Sequence, residues 1–368
     1  MKKALIAMSG GVDSSVAAAL MLRRGWQALG CTMRLLPGEG GRCCSLDDVE
    51  DARRAAFRLG MPYYVFNFTE DFRKQVTEPF CEAYFRGETP NPCLRCNGRL
   101  KFDRLLRRSR ELGCDALVTG HYARIDREGG LWRLRKALDE TKDQSYALYM
   151  LGQEQLSRLC LPLGGLRKTE VRRLAEELGL PNARKPDSQD ICFVPDGDYA
   201  AAVERLAGQQ SPPGDFVDTA GRVLGQHRGL IRYTVGQRRG LGVSGGERLY
   251  VLALRPKDNT VVLGTEEELL THTVTVPVFH WIGGEAPRRP FEASARVRYR
   301  QREQEALVRP LPGGGVRLEF REPLRRPAPG QAAVVYLGDE VLGGGIIASC
   351  ENGTVSDILI GERSVSAG

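Results

Sequence analysis

The stretch that most constrains this chain is Ser9-Gly10-Gly11-Val12-Asp13-Ser14-Ser15. The apolar run Ala4-Leu5-Ile6-Ala7-Met8 leads into it and reads as a buried strand. After it, Val16, Ala19 and Leu20 fall on one helical face, and Gly25 ends the helix. A strand, a tight Gly-Gly turn and a helix N-terminus together make an anion site. Glycine lets backbone N–H groups come close, and the helix dipole favours negative charge there. Ser9, Ser14 and Ser15 add hydroxyl donors. No lysine stands in the turn, which separates it from the G-x-x-x-x-G-K-S/T loop. Amides and hydroxyls so arranged suit a pyrophosphate. A carboxylate among phosphate-binding groups needs a cation between them, so Asp13 is assigned to Mg²⁺. A glycine turn with a serine cap would account for two glycines alone. The full heptapeptide between strand and helix favours the anion site.

The chain has 368 residues, enough for two or three domains with ample core. Its net charge of +7 hints at an anionic partner such as nucleic acid, and a merely basic surface would account for it as well. No run is long enough to span a membrane, and the N-terminal apolar run ends in the glycine turn, so a cytoplasmic protein with no membrane partner is expected. The ten cysteines are then read as buried, catalytic or metal-binding rather than as a disulfide framework.

Down to Gly120, strands and helices alternate. Strands are expected at Trp26–Arg34, Tyr63–Phe66 and Ala116–Thr119, and helices from Ser45 to Leu59, Glu70 to Gly87 and Leu100 to Leu112. This pattern predicts an α/β domain, a parallel sheet with flanking helices on both faces. Met33 would lie near a strand's C-terminal end, where such sheets bind ligands. His121 follows another strand end directly. Leu166–Leu178 is an amphipathic helix whose Arg167, Lys168, Arg172 and Arg173 read as a solvated face, with RNA contact as the minority option. After about Ala207 the pattern changes to short β-type runs between glycine and proline turns, which predicts two smaller mainly-β domains, the last a β-barrel. The expected domains are 1–207, 208–275 and 276–368. Two basic stretches suit a phosphate backbone: His227–Gly242, and Arg296 to Arg302 with Tyr299 among the arginines.

Asn91-Pro92-Cys93-Leu94-Arg95-Cys96 is read as a proline-stiffened loop. Its C-x-x-C alone is ambiguous among half a zinc site, a redox pair and two ordinary thiols. Asp187-Ser188-Gln189-Asp190-Ile191-Cys192-Phe193 adds a third cysteine in a polar loop. Vicinal Cys43 and Cys44 are given no role.

The glycine heptapeptide resembles the PP-loop of the N-type ATP pyrophosphatases, which cleave ATP to AMP and pyrophosphate. Several stretches in shared order resemble the tRNA-specific 2-thiouridylase family over nearly the whole chain. They are Ser9–Ser15, the Asn91-Pro92 cysteine segment, Thr119–Tyr122, Lys142–Tyr146, Asp187–Phe193, Thr234–Gly242 and Gly343–Ile347. The resemblance implies that ATP adenylates the C2 carbonyl oxygen of the wobble uridine of tRNA, pyrophosphate leaves, and sulfur displaces AMP to leave 2-thiouridine. It implies ATP contacts from Ala7, Met8, Ser9, Gly10, Gly11, Val12, Asp13, Ser14, Met33 and Gly120. Asn91, Pro92 and Cys93 would line the target base. His121, Lys142, Asp143, Gln144, Arg298, Tyr299 and Gln331 would touch tRNA. Cys96 would be the nucleophile and resolving thiol, and Cys192 would carry sulfur as a persulfide supplied by a cysteine desulfurase or a sulfur-relay protein.

One position departs from the family pattern. Where an aspartate stands in D-x-x-C, this chain has Cys93, which cannot serve as that carboxylate acid/base. Cys93, Cys96 and Cys192 would offer three thiolates, the number that leaves one iron of a [4Fe-4S] cluster open to sulfide. The cluster is taken first, persulfide chemistry with Cys93 as bystander second, and zinc third. Cys96 and Cys192 are expected to lie near one another beside the nucleotide loop. Another PP-loop synthetase acting on a small substrate, or an RNA-binding protein that kept a nucleotide fold, are the competing functions.

Overall fold

The computed structural model describes residues 1–36, 46–187, 191–194, 196–243 and 248–351. Cys43, Cys44 and Ser45 lie outside the described residues, as do 188–190.

Strand β1 (Lys3–Ala7) is the middle of a five-stranded parallel sheet with β2 (Gln27–Arg34), β3 (Tyr63–Asn67) and β4 (Ala116–Val118). The chain then makes an antiparallel hairpin, β5 (Arg124–Glu128) and β6 (Leu131–Arg135), before β7 (Leu159–Cys160) completes the order β3-β2-β1-β4-β7. Side chains alternate faces along a strand. Ala4, Ile6 and Met8 therefore pack with helix α1 (Val12–Arg23) and with Ala52, Ala55, Val171 and Ala175 of two further helices, Leu46–Arg58 and Lys168–Glu177. Leu5 faces the other way, into Phe72, Phe80, Leu100, Phe102 and Leu105. Both faces of the sheet are thus covered, as the alternation predicts.

Two helical runs differ from expectation. Residues 69–85 form one run whose middle, Arg73–Thr77, widens to π-type geometry. The second starts earlier than expected, because Pro92 occupies the first helical position, where no N–H is missed. Asn91 caps it by accepting from the Cys93 N–H at 3.0 Å. Cys93 and Cys96 consequently sit on a helix start and not in an open loop, and the helix continues as Cys96–Leu105 and Leu106–Glu111.

The β half begins with a four-stranded sheet from β8 (Gly214–Val217), β9 (Val223–His227), β10 (Tyr250–Arg255) and β11 (Thr260–Gly264). The remaining strands are β12 (Leu270–Val276), β13 (His280–Trp281), β14 (Phe291–Arg296), β15 (Gln304–Pro310), β16 (Val316–Arg325), β17 (Ala332–Leu337), β18 (Glu340–Ile346) and β19 (Ser349–Glu351). They form an antiparallel sheet to which hairpin β5–β6 is added by the pairing of β6 with β18. That hairpin belongs in sequence to the α/β part. Its junction is fastened by Asp339, which accepts from Arg124 at 2.6 Å and Arg135 at 2.9 Å, and by Arg133 on Glu340 at 2.7 Å. Buried Tyr146 adds a hydrogen bond of 2.8 Å to the Ala332 carbonyl.

Candidate active site

The sheet order reverses at β1 and β4, and the glycine heptapeptide stands at the C-terminal end of β1 beside Gly120, which follows β4. Open α/β sheets bind ligands at such a switch point. Gly10 has φ of +74°, and a Cβ there would lie 2.3 Å from the Asp48 carbonyl oxygen. A Cβ on Gly120 would stand 2.8 Å from the Ser14 amide nitrogen and 2.9 Å from the Asp13 carbonyl carbon. Both glycines are required by close approach of backbone. The Gly11 position is open, its nearest atom being Ser9 Oγ at 3.5 Å.

The loop's outer carbonyls are held from behind. Asn182 donates to the carbonyls of Gly10 at 2.9 Å and Gly11 at 3.1 Å, and to Ser15 Oγ at 2.9 Å. Ser14 and Ser15 hydroxyls donate to the Gly11 carbonyl at 3.1 and 3.2 Å. With carbonyls drawn away, the amides at the start of α1 are left to face an anion. Ala7, Met8 and Val12 flank this turn, and Met33 lies near the C-terminal end of β2, the position expected of it, with its side chain buried.

Asp13 receives a protein cation where Mg²⁺ was expected. Lys168 Nζ donates to both its oxygens, at 2.7 and 2.8 Å, and the Tyr122 hydroxyl donates to Oδ1 at 2.8 Å. Burial first, and Asp13 second, raise the Tyr122 phenol far above its usual value, so it stays a donor. Lys168 also contacts Asp187 at 2.8 Å, and Asp187 is held further by Lys142 at 2.8 Å and Arg172 at 3.1 Å. Burial alone would raise the Asp187 carboxyl. The bonds from Lys142 and Lys168 outweigh it and hold the group below its usual range. Lys168 and Arg172 thus do not form the solvated face expected of them, whereas Arg167 and Arg173 are exposed as that expectation has it, Arg173 paired with Glu177 one turn on. The signal that could have found Lys168 is its position. A cation in the first turn of a helix opposes the dipole and needs a partner.

The residues expected to touch RNA divide. Lys142 is bound to Asp187. Asp143 accepts from the Ala137 amide at 3.0 Å and the Ser145 hydroxyl at 2.8 Å, and Gln144 Oε1 accepts from the Tyr122 amide at 3.0 Å. These two are brackets of the local fold. His121 shares a hydrogen bond of 2.7 Å with Thr119 Oγ1, and burial together with Lys101 keeps its ring neutral, well below its usual pKa.

The other group converges across the domains. Thr89 donates its amide to the Pro329 carbonyl at 2.7 Å, and its carbonyl accepts from Gln331 Nε2. Tyr299 stacks edge-on against Tyr146 at 5.7 Å between ring centres, and its phenol is raised by burial, then by Asp143 and Cys93. Arg298 donates to the Arg326 carbonyl at 2.7 Å. Gln331 and Tyr299 of the barrel are thus brought to the segment that carries Asn91, Pro92 and Cys93. Next to this seam a cleft of about 640 Å³ is lined by Tyr84, Tyr199, Arg228, Arg232, Tyr233 and Gln237.

Cys93 is exposed, and Cys96 and Cys192 are half-buried. Cys96 and Cys192 pack against one core. Phe193 meets Phe72 and Phe80 edge-on at 5.8 and 5.1 Å, and Arg95 donates to the Gln75 carbonyl at 2.9 Å, so both cysteine segments lean on the run 69–85. Among the described residues no three His, Cys, Asp or Glu side chains form a metal-ligand group. The three cysteines therefore do not present the ligand set expected for a [4Fe-4S] cluster or for zinc, and Asp13, with both oxygens on Lys168, does not present a vacant one for a resident Mg²⁺. No helix among the described residues is long and apolar enough to cross a membrane.

Comparison with known proteins fits this architecture. Family models match as a tRNA methyl transferase HUP domain over residues 2–196, a tRNA methyl transferase PRC-barrel domain over 202–265 and an aminomethyltransferase beta-barrel domain over 271–347. The chain is 49% identical over 356 residues to the tRNA-specific 2-thiouridylase MnmA of Geobacter metallireducens, covering 94% of this chain and 96% of that one. It is 50% identical over 355 residues to the protein of the same name from Moorella thermoacetica, covering 94% and 99%. Among solved structures, the U34-tRNA thiolase NcsA from Methanococcus maripaludis aligns at 19% identity with a TM-score of 0.36, over 56% of this chain and 64% of that chain. On the strength of the two full-length relatives, the chain belongs to the tRNA-specific 2-thiouridylase family.

Proposed function

We propose that this protein is an ATP-dependent tRNA-uridine 2-sulfurtransferase, working in the cytoplasm on the wobble uridine. The observation that carries this reading is the seam between domains. The barrel's Tyr299 and Gln331 stand at the helix start bearing Cys93 and Cys96, on the same α/β domain whose glycine loop forms an anion nest. A wobble base lies in a single-stranded loop and can be unstacked into such a seam, with Tyr299 as a stacking face and the arginines of the small β domain on the backbone.

The chemistry needs ATP because a urea-like carbonyl is a poor electrophile. The C2 oxygen attacks the α-phosphorus, pyrophosphate leaves, and the loop amides at α1 stabilise its charge. Magnesium arrives with the nucleotide as part of the substrate and neutralises phosphate charge. The persulfide route is the better supported way to deliver sulfur, because the three cysteines do not present a metal-ligand group. The outer sulfur of a Cys192 persulfide attacks C2, and AMP leaves with the former carbonyl oxygen. The Cys96 thiolate then attacks the Cys192 sulfur. The sulfur–sulfur bond to RNA breaks, 2-thiouridine forms, and a Cys96–Cys192 disulfide remains for an external thiol to reduce. A cysteine desulfurase or relay protein recharges Cys192.

The test compares a tRNA carrying uridine at the wobble position with one carrying cytidine there. AMP, pyrophosphate and 2-thiouridine should form together from the first alone. Equal AMP formation from both would reject the thiolase reading in favour of a small-substrate synthetase.

A further inference from the structure

Arg298 and Tyr299 lie on a short excursion of the barrel, residues 297–303, which joins β14 to β15. The backbone pairing of these two strands stops at Ala295 and Gln304. On the outgoing side Arg296 is still held, by pairing with Val334 of β17. On the returning side the ladder with β14 begins only at Gln304, and the side chain of Glu303 makes the connection before it. Its Oε1 accepts from Arg296 Nη2 at 3.0 Å, which closes the base of the loop. Its Oε2 accepts from Ser294 Oγ at 2.9 Å and from Lys136 Nζ at 2.7 Å.

Lys136 is not part of the barrel. It follows β6, and its backbone amide donates to the Asp339 carbonyl at 2.8 Å, while Nζ donates also to the Gly338 carbonyl at 2.9 Å. Arg296 reaches in the other direction, to Asp143 Oδ2 at 3.7 Å. Two cations and two anions thus alternate from Asp143 through Arg296 and Glu303 to Lys136, and both ends of this chain belong to the α/β part. Glu303 is only 16% exposed, so water is a poor substitute for its bonds. Without that carboxylate Arg296 would keep only Asp143, and its buried Nε already has no acceptor. The other hydrogen bonds of the loop stay within the β half. Arg298 donates to the Arg326 carbonyl, the Gln301 amide to the Arg298 carbonyl, and Gln301 Nε2 to Gln304 Oε1. Tyr299, however, packs on Tyr146 of the α/β part, beside the helix start that bears Cys93. The bond from Glu303 to Lys136 is what refers the returning arm of the loop to that part.

We infer that Glu303 is a positioning residue for the tRNA reaction, whose carboxylate, bridging Arg296 of the barrel to Lys136 of the α/β part, sets where residues 297–303 present Tyr299. The inference rests on the proposed function, in which Tyr299 is the stacking face for the unstacked wobble base. Glu303 itself touches neither base nor nucleotide.

The test is a double-mutant cycle between Glu303 and Tyr299, read as kcat/KM for tRNA in 2-thiouridine formation by the full-length protein with ATP and a loaded sulfur donor. Glu303→Gln keeps the shape, but its amide nitrogen must face either Arg296 or Lys136, so one arm of the bridge is lost. One base stacked on an aromatic ring is worth about fivefold or more in affinity. Glu303→Gln should therefore lower kcat/KM about fivefold or more, chiefly by raising KM for tRNA, and less than about twofold where Tyr299 is already Ala. Glu303→Asp, which keeps the charge on a shorter arm, should recover part of the loss. Lys136→Met breaks the same bridge from its other end and stands in if Glu303→Gln folds poorly; its effect should vanish in the same background. ATP affinity by calorimetry should be unchanged in all of them. Arg309→Ala, which removes an exposed pair with Glu319 elsewhere on the barrel, should behave as the parent. A Glu303→Gln protein as active as the parent overturns the inference. So does a loss that persists undiminished in the Tyr299→Ala background, because Glu303 would then only stabilise the fold. A Tyr299→Ala protein as active as the parent removes the stacking face, and the inference with it. A parent that forms no 2-thiouridine overturns the proposed function itself.

Discussion

The two glycines of the turn look equivalent in the sequence, and the structure makes them unequal. Gly10→Ala meets two costs. Its φ of +74° is strained for a residue with a Cβ, at about 1–2 kcal/mol. The new Cβ would also stand 2.3 Å from the Asp48 carbonyl oxygen, a backbone atom with no rotamer to escape into. Relieving the overlap requires the turn and the helix Leu46–Arg58 to part, an overpacking cost of about 1–3 kcal/mol. The total, about 2–5 kcal/mol, falls on the loop whose amides form the nest. If only the lower end of it is expressed as lost amide geometry, ATP affinity drops about 30-fold. Gly11→Ala is the control. Its φ is −85°, and the nearest neighbour is a serine hydroxyl at 3.5 Å, an ordinary contact. Calorimetric ATP titration and thermal unfolding of both variants provide the check. Gly10→Ala should bind ATP at least about tenfold more weakly than Gly11→Ala and melt lower. Equal affinity and equal melting of the two variants would refute the close-approach reasoning.

Three further outcomes are expected. Tyr146→Phe removes the hydrogen bond to the Ala332 carbonyl across the junction of the α/β part and the barrel, and should cost about 1–2 kcal/mol in urea unfolding. The folded-state pKa values of His121 and His227 lie below 6.5, so below about pH 6.5 the unfolded chain takes up protons that the native chain refuses. Stability should therefore fall as pH drops through that window, and His121→Asn should flatten the slope of a urea-unfolding series. Iron and acid-labile sulfide measured after anaerobic purification should be far below one cluster per chain; a stoichiometric cluster lost on changing Cys93, Cys96 or Cys192 to Ala would restore the cluster route.

Four strands of the parallel sheet are legible because they are short apolar runs between helices, whereas β7, two residues long, carries no such run and is not expected. Met33 and Gly120 are placed by the same apolar runs, at strand C-terminal ends. Hairpin β5–β6 is not legible. Its strand Arg124–Glu128 is polar and half-exposed, and its partner β18 lies about 200 residues away in sequence, beyond the reach of any local pattern. The cysteine segment reads as a loop only while Pro92 counts as a barrier, whereas a proline at the first helical position favours the helix. For Lys168 and Arg172, amphipathicity assigns a face but not what lies opposite it. The pairing of Lys168 with Asp13 spans 155 residues. Asn182 and Tyr122 hold the loop by side-chain contacts that carry no spacing signal.

The most direct measurement of the central claim is the fate of one oxygen atom. A tRNA whose wobble uridine carries oxygen-18 at C2 is incubated with the protein, ATP and a loaded sulfur donor. If the C2 oxygen is adenylated and then displaced by sulfur, the label should appear in AMP, one atom for each 2-thiouridine formed. Thiolated tRNA accompanied by unlabelled AMP would mean that ATP activates something other than the base, and adenylation of the wobble uridine would be ruled out.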